Sequence, residues 1–202
     1  MEFPNIWAEI DLGAIDHNVR ELRRITRPGA RFMAVVKADG YGHGAAPVAR
    51  TALAAGADML AVARIDEGIA LRQDGFEVPI LVLNPTFPPF AAGLIEHDLI
   101  QSVTGLAAAQ ALNEAARTAG KTIPVHLKVD SGMGRLGLVP EAGRTTGQSL
   151  PPVAEVEALA QLPHVRLEGV YTHFAAADET DKTYAHQQLE VFEEFIAALQ
   201  AA

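Results

Sequence analysis

Phe32-Met33-Ala34-Val35-Val36-Lys37, followed by Ala38-Asp39-Gly40-Tyr41-Gly42-His43-Gly44, is the stretch on which the reading of the fold turns. Its first five residues are a continuous apolar run of the kind that is buried on both faces in a parallel sheet. The run stops at a lysine, and Gly40, Gly42 and Gly44 then let the backbone turn sharply and come close to a ligand. Residues 45–55, immediately after, carry helical spacing.

The same sequence of strand and helix recurs along the chain. Apolar runs at 59–63, 80–83, 99–103, 125–129 and 167–174 read as strands, and 65–73 and 106–119 read as helices between them. An earlier helix is expected over 14–25, with Val19, Leu22 and Ile25 on one face. A final one is expected over 184–200, with Leu189, Phe192, Phe195, Ile196 and Leu199 as its apolar stripe. Strands alternating with helices predict βαβ units and a parallel sheet, open or closed. Trp7-Ala8-Glu9-Ile10-Asp11-Leu12 is a further strand candidate ahead of six βα units. A closed barrel needs eight units and typically about 250 residues, so as a barrel this chain would stop two units early. Residues 138–152, with Pro140, Gly143, Gly147, Ser149, Pro151 and Pro152, read as an exposed loop or insertion.

Composition narrows the function classes. With 49% hydrophobic and 20% charged residues, the 202-residue chain is globular, and the length suits one domain. Its 16 Lys+Arg against 25 Asp+Glu give a net charge of −9, which repels phosphate and argues against nucleic acid or an anionic membrane as partner. The absence of cysteine excludes disulfides and thiolate chemistry. No apolar stretch suits a transmembrane helix, and Met1-Glu2-Phe3-Pro4 does not resemble a signal peptide, so a cytoplasmic location is expected.

Reactive groups in parallel α/β folds gather at the carboxyl ends of strands. Lys37 sits at such an end; desolvation there would lower its pKa and free the amine as a nucleophile, the alternative being a snorkelling side chain before a flexible turn. Alternation in the fifth strand sets His126, Lys128 and Asp130 on one face, opposite Val125, Leu127 and Val129. That polar face either lines a site or holds an internal Lys128–Asp130 ion pair, with Arg135 in the loop that follows turned to solvent. His173, near the end of the sixth strand, is a site residue or a structural histidine. Gly132-Met133-Gly134-Arg135-Leu136-Gly137 matches a dinucleotide fingerprint, but that reading requires a helix to open directly after it, and Leu138-Val139-Pro140 comes instead. The seven histidines are scattered without metal-ligand spacing, and no metal is expected.

Taken together, Trp7-Ala8-Glu9-Ile10-Asp11-Leu12 with Ala14-Ile15-Asp16-His17-Asn18, the lysine loop of residues 34–44, the string from His126 to Gly137 and Glu168-Gly169-Val170-Tyr171-Thr172-His173-Phe174-Ala175 resemble the amino-terminal part of an alanine racemase across essentially the whole chain. The resemblance implies a (β/α)8 TIM-type barrel, here with about six units, and a pyridoxal 5'-phosphate enzyme interconverting L- and D-alanine for peptidoglycan precursors. Residues 1–202 would be the cofactor-binding barrel domain without its last units and without the carboxyl-terminal β domain. It implies that Lys37 holds the cofactor covalently and acts as a base on one face of the substrate carbon, that Tyr41 reaches the cofactor phosphate, and that His173 lies near the pyridine ring. Arg135 would bind near the cofactor's phenolic oxygen and the substrate carboxylate, and Lys128 would be a candidate for carbamylation. In the family the second base is a tyrosine of the partner's carboxyl-terminal domain in a homodimer. The alternative is a non-catalytic barrel that carries pyridoxal phosphate.

Overall fold

Asp11 decides how the chain enters its first helix. Its carboxylate accepts from the amides of Gly13 (2.8 Å) and Ala14 (3.1 Å), an N-cap that starts α1 at Leu12 and runs it to Ile25. The strand expected over residues 7–12 is therefore absent. Residues 7–11 form no strand in the computed structural model, which describes residues 7–140 and 152–202, and Trp7 is 73% exposed. The alternating pattern of Trp7-Ala8-Glu9-Ile10 is outweighed by the cap that follows it.

The chain divides into two compact units, Met1–Leu83 and Asn84–Ala202. In the first, β1 (Met33–Val35), β2 (Met59–Val62) and β3 (Ile80–Val82) form a parallel sheet, with Ala34 beside Leu60 and Leu60 beside Ile80. Every residue of β2 and β3 is buried, as their unbroken apolar runs require. Between β1 and β2 lie one helical turn, α2 (Lys37–Tyr41), and α3 (Ala45–Ala54), which buries Ala49 and Ala52; α4 (Ile65–Gln73) buries Leu71.

The second unit opens with a short 3-10 turn, Pro88–Phe90, and α5 (Ala91–Glu96), neither apparent from residue spacing. Then come β4 (Ile100–Val103), α6 (Leu106–Thr118), β5 (Ile123–Lys128), α7 (Pro152–Ala160), β6 (Val165–Tyr171) and α8 (Thr183–Ala201). Strands β4, β5 and β6 are parallel neighbours in that order. The register of β5 on β6 slips between Val125 and His126, which sets His126 against Gly169 and Lys128 against Tyr171. A β-carbon on Gly169 would meet the His126 ring at 3.2 Å, so the ring occupies the space a side chain would need. Strand β6 ends at Tyr171, short of the expected 174, and leaves Thr172 and His173 in the following loop.

The segment 138–152 is resolved into its edges. Leu138 bridges to Val129 and Pro152 opens α7, while residues 141–151 lie outside the described residues. No helix among the described residues is long and apolar enough to cross a membrane. Asp11→Ala should cost about 1 kcal/mol through loss of the α1 cap. A shift of the urea midpoint at unchanged slope would report it; an unchanged midpoint would show that the cap contributes nothing.

Candidate active site

Lysine 37 follows Val36, whose amide continues the β1 ladder by donating to the Ala61 carbonyl at 2.8 Å. From there the backbone turns in the unusual sense. Ala38, Asp39, Gly40 and Tyr41 have φ of 52°, 54°, 62° and 57°, so α2 is a left-handed turn. Each of its three non-glycine residues there carries on the order of 1–2 kcal/mol of strain. Hydrogen bonds hold the turn against that strain: Gly40 N to Val36 O (2.9 Å), Gly42 N to Ala38 O (2.9 Å) and Gly44 N to Asp39 O (2.8 Å). The Asp39 carboxylate accepts from Ala45 N at 2.7 Å, tying the turn to the start of α3. Glu67 reaches in from α4: one carboxylate oxygen accepts from Ala38 N (2.7 Å), the other from Ala63 N (2.7 Å) and Arg64 N (2.9 Å).

The Lys37 side chain is half-buried, with its Nζ 5.7 Å from the centre of the Tyr41 ring, a cation–π distance. Tyr41 is 58% exposed, and a β-carbon on Gly42 would meet nothing within 4 Å, so the turn is open at Gly42, while Gly40 packs against Val48. The amine placed most fully out of water is Lys128, not Lys37.

In the second unit, Lys128 is 6% exposed, and among the described residues its Nζ has no hydrogen-bond partner. It lies 5.1 Å from the centre of the Tyr171 ring, whose hydroxyl is 2.8 Å from Ser102 Oγ. Burial lowers the Lys128 pKa; the Asp130 charge opposes that and the Arg135 charge adds to it. Burial likewise raises the Tyr171 hydroxyl, partly countered by Ser102 and Arg135.

Of the two readings of this face, the Lys128–Asp130 ion pair gives way to a different arrangement. Asp130 accepts from Gly132 N (3.0 Å), Gly134 N (2.9 Å) and Arg135 N (2.8 Å), so it shapes the loop that carries Arg135. Burial would raise its pKa, but the three amides and the Lys128 charge outweigh this and hold it below the usual aspartate range. That contribution is present above the ordinary aspartate pKa and is lost as pH falls through the folded value. Gly137 closes the loop: Asp130 N donates to Leu138 O (2.9 Å) and Leu138 N to Lys128 O (2.8 Å). At φ +136°, a β-carbon on Gly137 would lie 2.6 Å from Asp130 N. The chain thus folds back to pair with Val129 after Gly137 instead of opening a helix, which removes the dinucleotide reading. Arg135 is exposed at the loop's tip.

Spacing alone gave no role to Gln188 and Tyr184 of α8. Gln188 is buried, accepts from Ala175 N (2.8 Å) and donates to His173 O (3.1 Å), fixing the backbone on both sides of Phe174. Tyr184 donates to Gly132 O at 2.5 Å, holding the Arg135 loop from the other side. His173 itself is exposed. The signal for Gln188 was a polar residue next to Leu189 in an otherwise apolar helix stripe. In the first unit the structure brings Lys37 and Tyr41 together, and in the second it groups Lys128, Asp130 and Tyr171 with the loop of Arg135.

Parallel α/β units with a lysine turn and a carboxylate-ordered arginine loop at strand ends define the class, a barrel-type α/β protein with lysine amines at the ends of its strands. The chain belongs to the alanine racemase family: the model of the alanine racemase N-terminal domain matches residues 10–202. It is 52% identical over 199 residues to an alanine racemase of Desulfosudis oleivorans, covering 97% of this chain and 50% of that protein. It is 47% identical to one of Symbiobacterium thermophilum, covering 97% and 49%. Its fold matches the crystal structure of a Bacillus anthracis alanine racemase with bound L-Ala-P, at a TM-score of 0.86 and 35% identity, over all of this chain and 50% of that one. The incomplete (β/α)8 barrel expected from sequence is thus the fold class, and the chain spans about half the length of the relatives it matches.

Two substitutions probe this geometry. Lys128 gives up its proton more readily in the folded protein, so its charge destabilises at neutral pH, and the penalty lifts as pH rises toward the ordinary lysine value. Lys128→Met should therefore raise stability at neutral pH by about 1 kcal/mol in carbon-dioxide-free buffer and remove the gain on alkalinisation, read from denaturant midpoints against pH. Gly137→Ala should destabilise by about 2 kcal/mol or more, because the new methyl meets backbone at a positive φ. A midpoint equal to wild type in either variant would contradict the corresponding packing.

Proposed function

We propose that residues 1–202 are the amino-terminal barrel domain of a cytoplasmic alanine racemase that binds pyridoxal 5'-phosphate, converts alanine between its L and D forms for peptidoglycan precursors and works as a homodimer. The observation that carries this reading is the left-handed turn after β1, which presents a primary amine beside an open glycine face in a chain of this family. The residues fit the cofactor. A lysine amine can condense with its aldehyde, the bare side of Gly42 admits close approach, and the exposed Tyr41 hydroxyl can donate to its phosphate.

When bound, pyridoxal phosphate withdraws electrons from the substrate's α-carbon and so acidifies its C–H bond. Lys37 would hold the cofactor and move the proton at its Nζ on one face of that carbon. Tyr41 would anchor the phosphate, and His173 would lie against the pyridine ring. Arg135 would meet the substrate carboxylate and the phenolic oxygen with a guanidinium that stays charged. For Lys128, the unpartnered buried amine supports carbamylation: a neutral amine adds carbon dioxide and releases a proton, and the resulting anion faces the positive field of Arg135. A second base on the opposite face belongs, by the family resemblance, to the part of the relatives that this chain does not span. The second reading is a carrier of pyridoxal phosphate without racemase activity.

Borohydride reduction with pyridoxal phosphate and peptide mapping tests the site. A pyridoxyl group on Lys37 that is absent in Lys37→Ala is expected; scattered or no labelling would contradict the assignment. Racemisation on adding a fragment matching the remainder of the relatives would support the enzyme. Labelling of Lys37 with no racemisation would support the carrier.

A further inference from the structure

We propose that Glu67 is a positioning residue for Lys37, acting through the amide of Ala38. The proposal rests on the reading of Lys37 as the cofactor-bearing amine for its purpose, though not for its geometry. Capping α4 needs only one oxygen of Glu67, the one that takes the amides of Ala63 and Arg64. The other oxygen reaches across 29 residues of sequence to the residue next to Lys37 and accepts from its amide at 2.7 Å.

That amide belongs to Ala38, where the backbone first enters the left-handed region. An L residue adopts this conformation only when its surroundings over-determine it. By accepting the Ala38 N–H, the carboxylate fixes the Lys37–Ala38 peptide plane from which the left-handed turn departs, and so fixes the backbone on the carboxyl side of Lys37. Glu67 is itself half-buried and anchored to the β2–α4 junction by its two other bonds, so it holds the turn from a fixed point.

The residue type matters. A glutamine has one acceptor oxygen, so its NH2 group would face one of the N–H groups the carboxylate now satisfies. An aspartate keeps the charge and can still cap α4, but is one methylene too short to span to Ala38. Either change should loosen the turn while leaving the strands intact. Asp66 provides the control, because it is also in the first turn of α4 and pairs with Arg64, whereas the Ala38 amide donates to Glu67.

The test compares wild type, Glu67→Gln, Glu67→Asp and Asp66→Asn by two readouts that need no cofactor. One is deuterium exchange of the amides of residues 37–44. The other is the rate at which acetic anhydride modifies Lys37 across pH, normalised to the exposed Lys121. Both Glu67 variants should speed exchange in 37–44 on the order of tenfold and change the Lys37 modification rate relative to that of Lys121. Asp66→Asn should match wild type in both. If either Glu67 variant is folded with exchange and modification unchanged, or if Asp66→Asn gives the same effect, the proposal is overturned.

A third arm traps pyridoxal phosphate with borohydride. Wild type labelled on Lys37, with several-fold less label in the Glu67 variants, supports both this proposal and the cofactor reading. Wild type unlabelled, with Lys37 reactivity still governed by Glu67, removes the cofactor reading and leaves the positioning role standing. Equal labelling with unchanged exchange does the reverse.

Discussion

A carboxylate that accepts three backbone amides is the constraint on which the strand-end loops of this fold depend, and among the described residues it occurs twice. Glu67 collects Ala38, Ala63 and Arg64 in the first unit, and Asp130 collects Gly132, Gly134 and Arg135 in the second. A charged acceptor makes stronger hydrogen bonds than a neutral one, and three together can hold a loop in a conformation the backbone would not choose. In both cases the loop carries a cationic side chain beyond the end of a parallel strand. The sheets supply rigid platforms, and the carboxylates convert irregular backbone into fixed geometry on top of them.

The neighbourhood of β5 shows a different use of charge. Among the described residues the buried Lys128 amine has no hydrogen-bond partner, while the carboxylate of Asp130 is committed to backbone amides. A plain structural design would have paired the two, since an unpartnered buried charge is costly. Here loop geometry takes the carboxylate, and the lysine is left with an aromatic face and a lowered proton affinity. Unpartnered polar groups within a set of titratable side chains are a feature of functional sites in general.

Much of the fold could be read from residue patterns, because parallel strands are written as unbroken apolar runs. The helix over Ile65–Gln73 and the six central strands follow directly from hydrophobic period and glycine stops. The misreading at residues 7–12 arose where alternation competed with a single capping carboxylate, an interaction that involves only Asp11 and two amides. Lys37, Lys128 and Arg135 stood out as charged residues at or just beyond the ends of apolar strands with glycines after them, whereas Tyr41 came from the family resemblance alone. The residues that hold those loops did not stand out. Glu67 is an ordinary helix-start glutamate until its second oxygen is seen on Ala38, and Gln188 is one polar residue in a helix until its amide spans His173 and Ala175. Long-range side-chain to backbone bonds leave no periodic signature.

The central claim is that charged carboxylates, more than the glycines themselves, hold the loops. It is tested most directly by measuring amide exchange of Gly134 and Arg135 by NMR as pH is lowered. Their amides should be protected at neutral pH and stay protected through the ordinary aspartate range, losing protection together only at the lower pH where the depressed Asp130 carboxyl takes its proton. Fast exchange at neutral pH, or protection indifferent to Asp130→Asn, would contradict it.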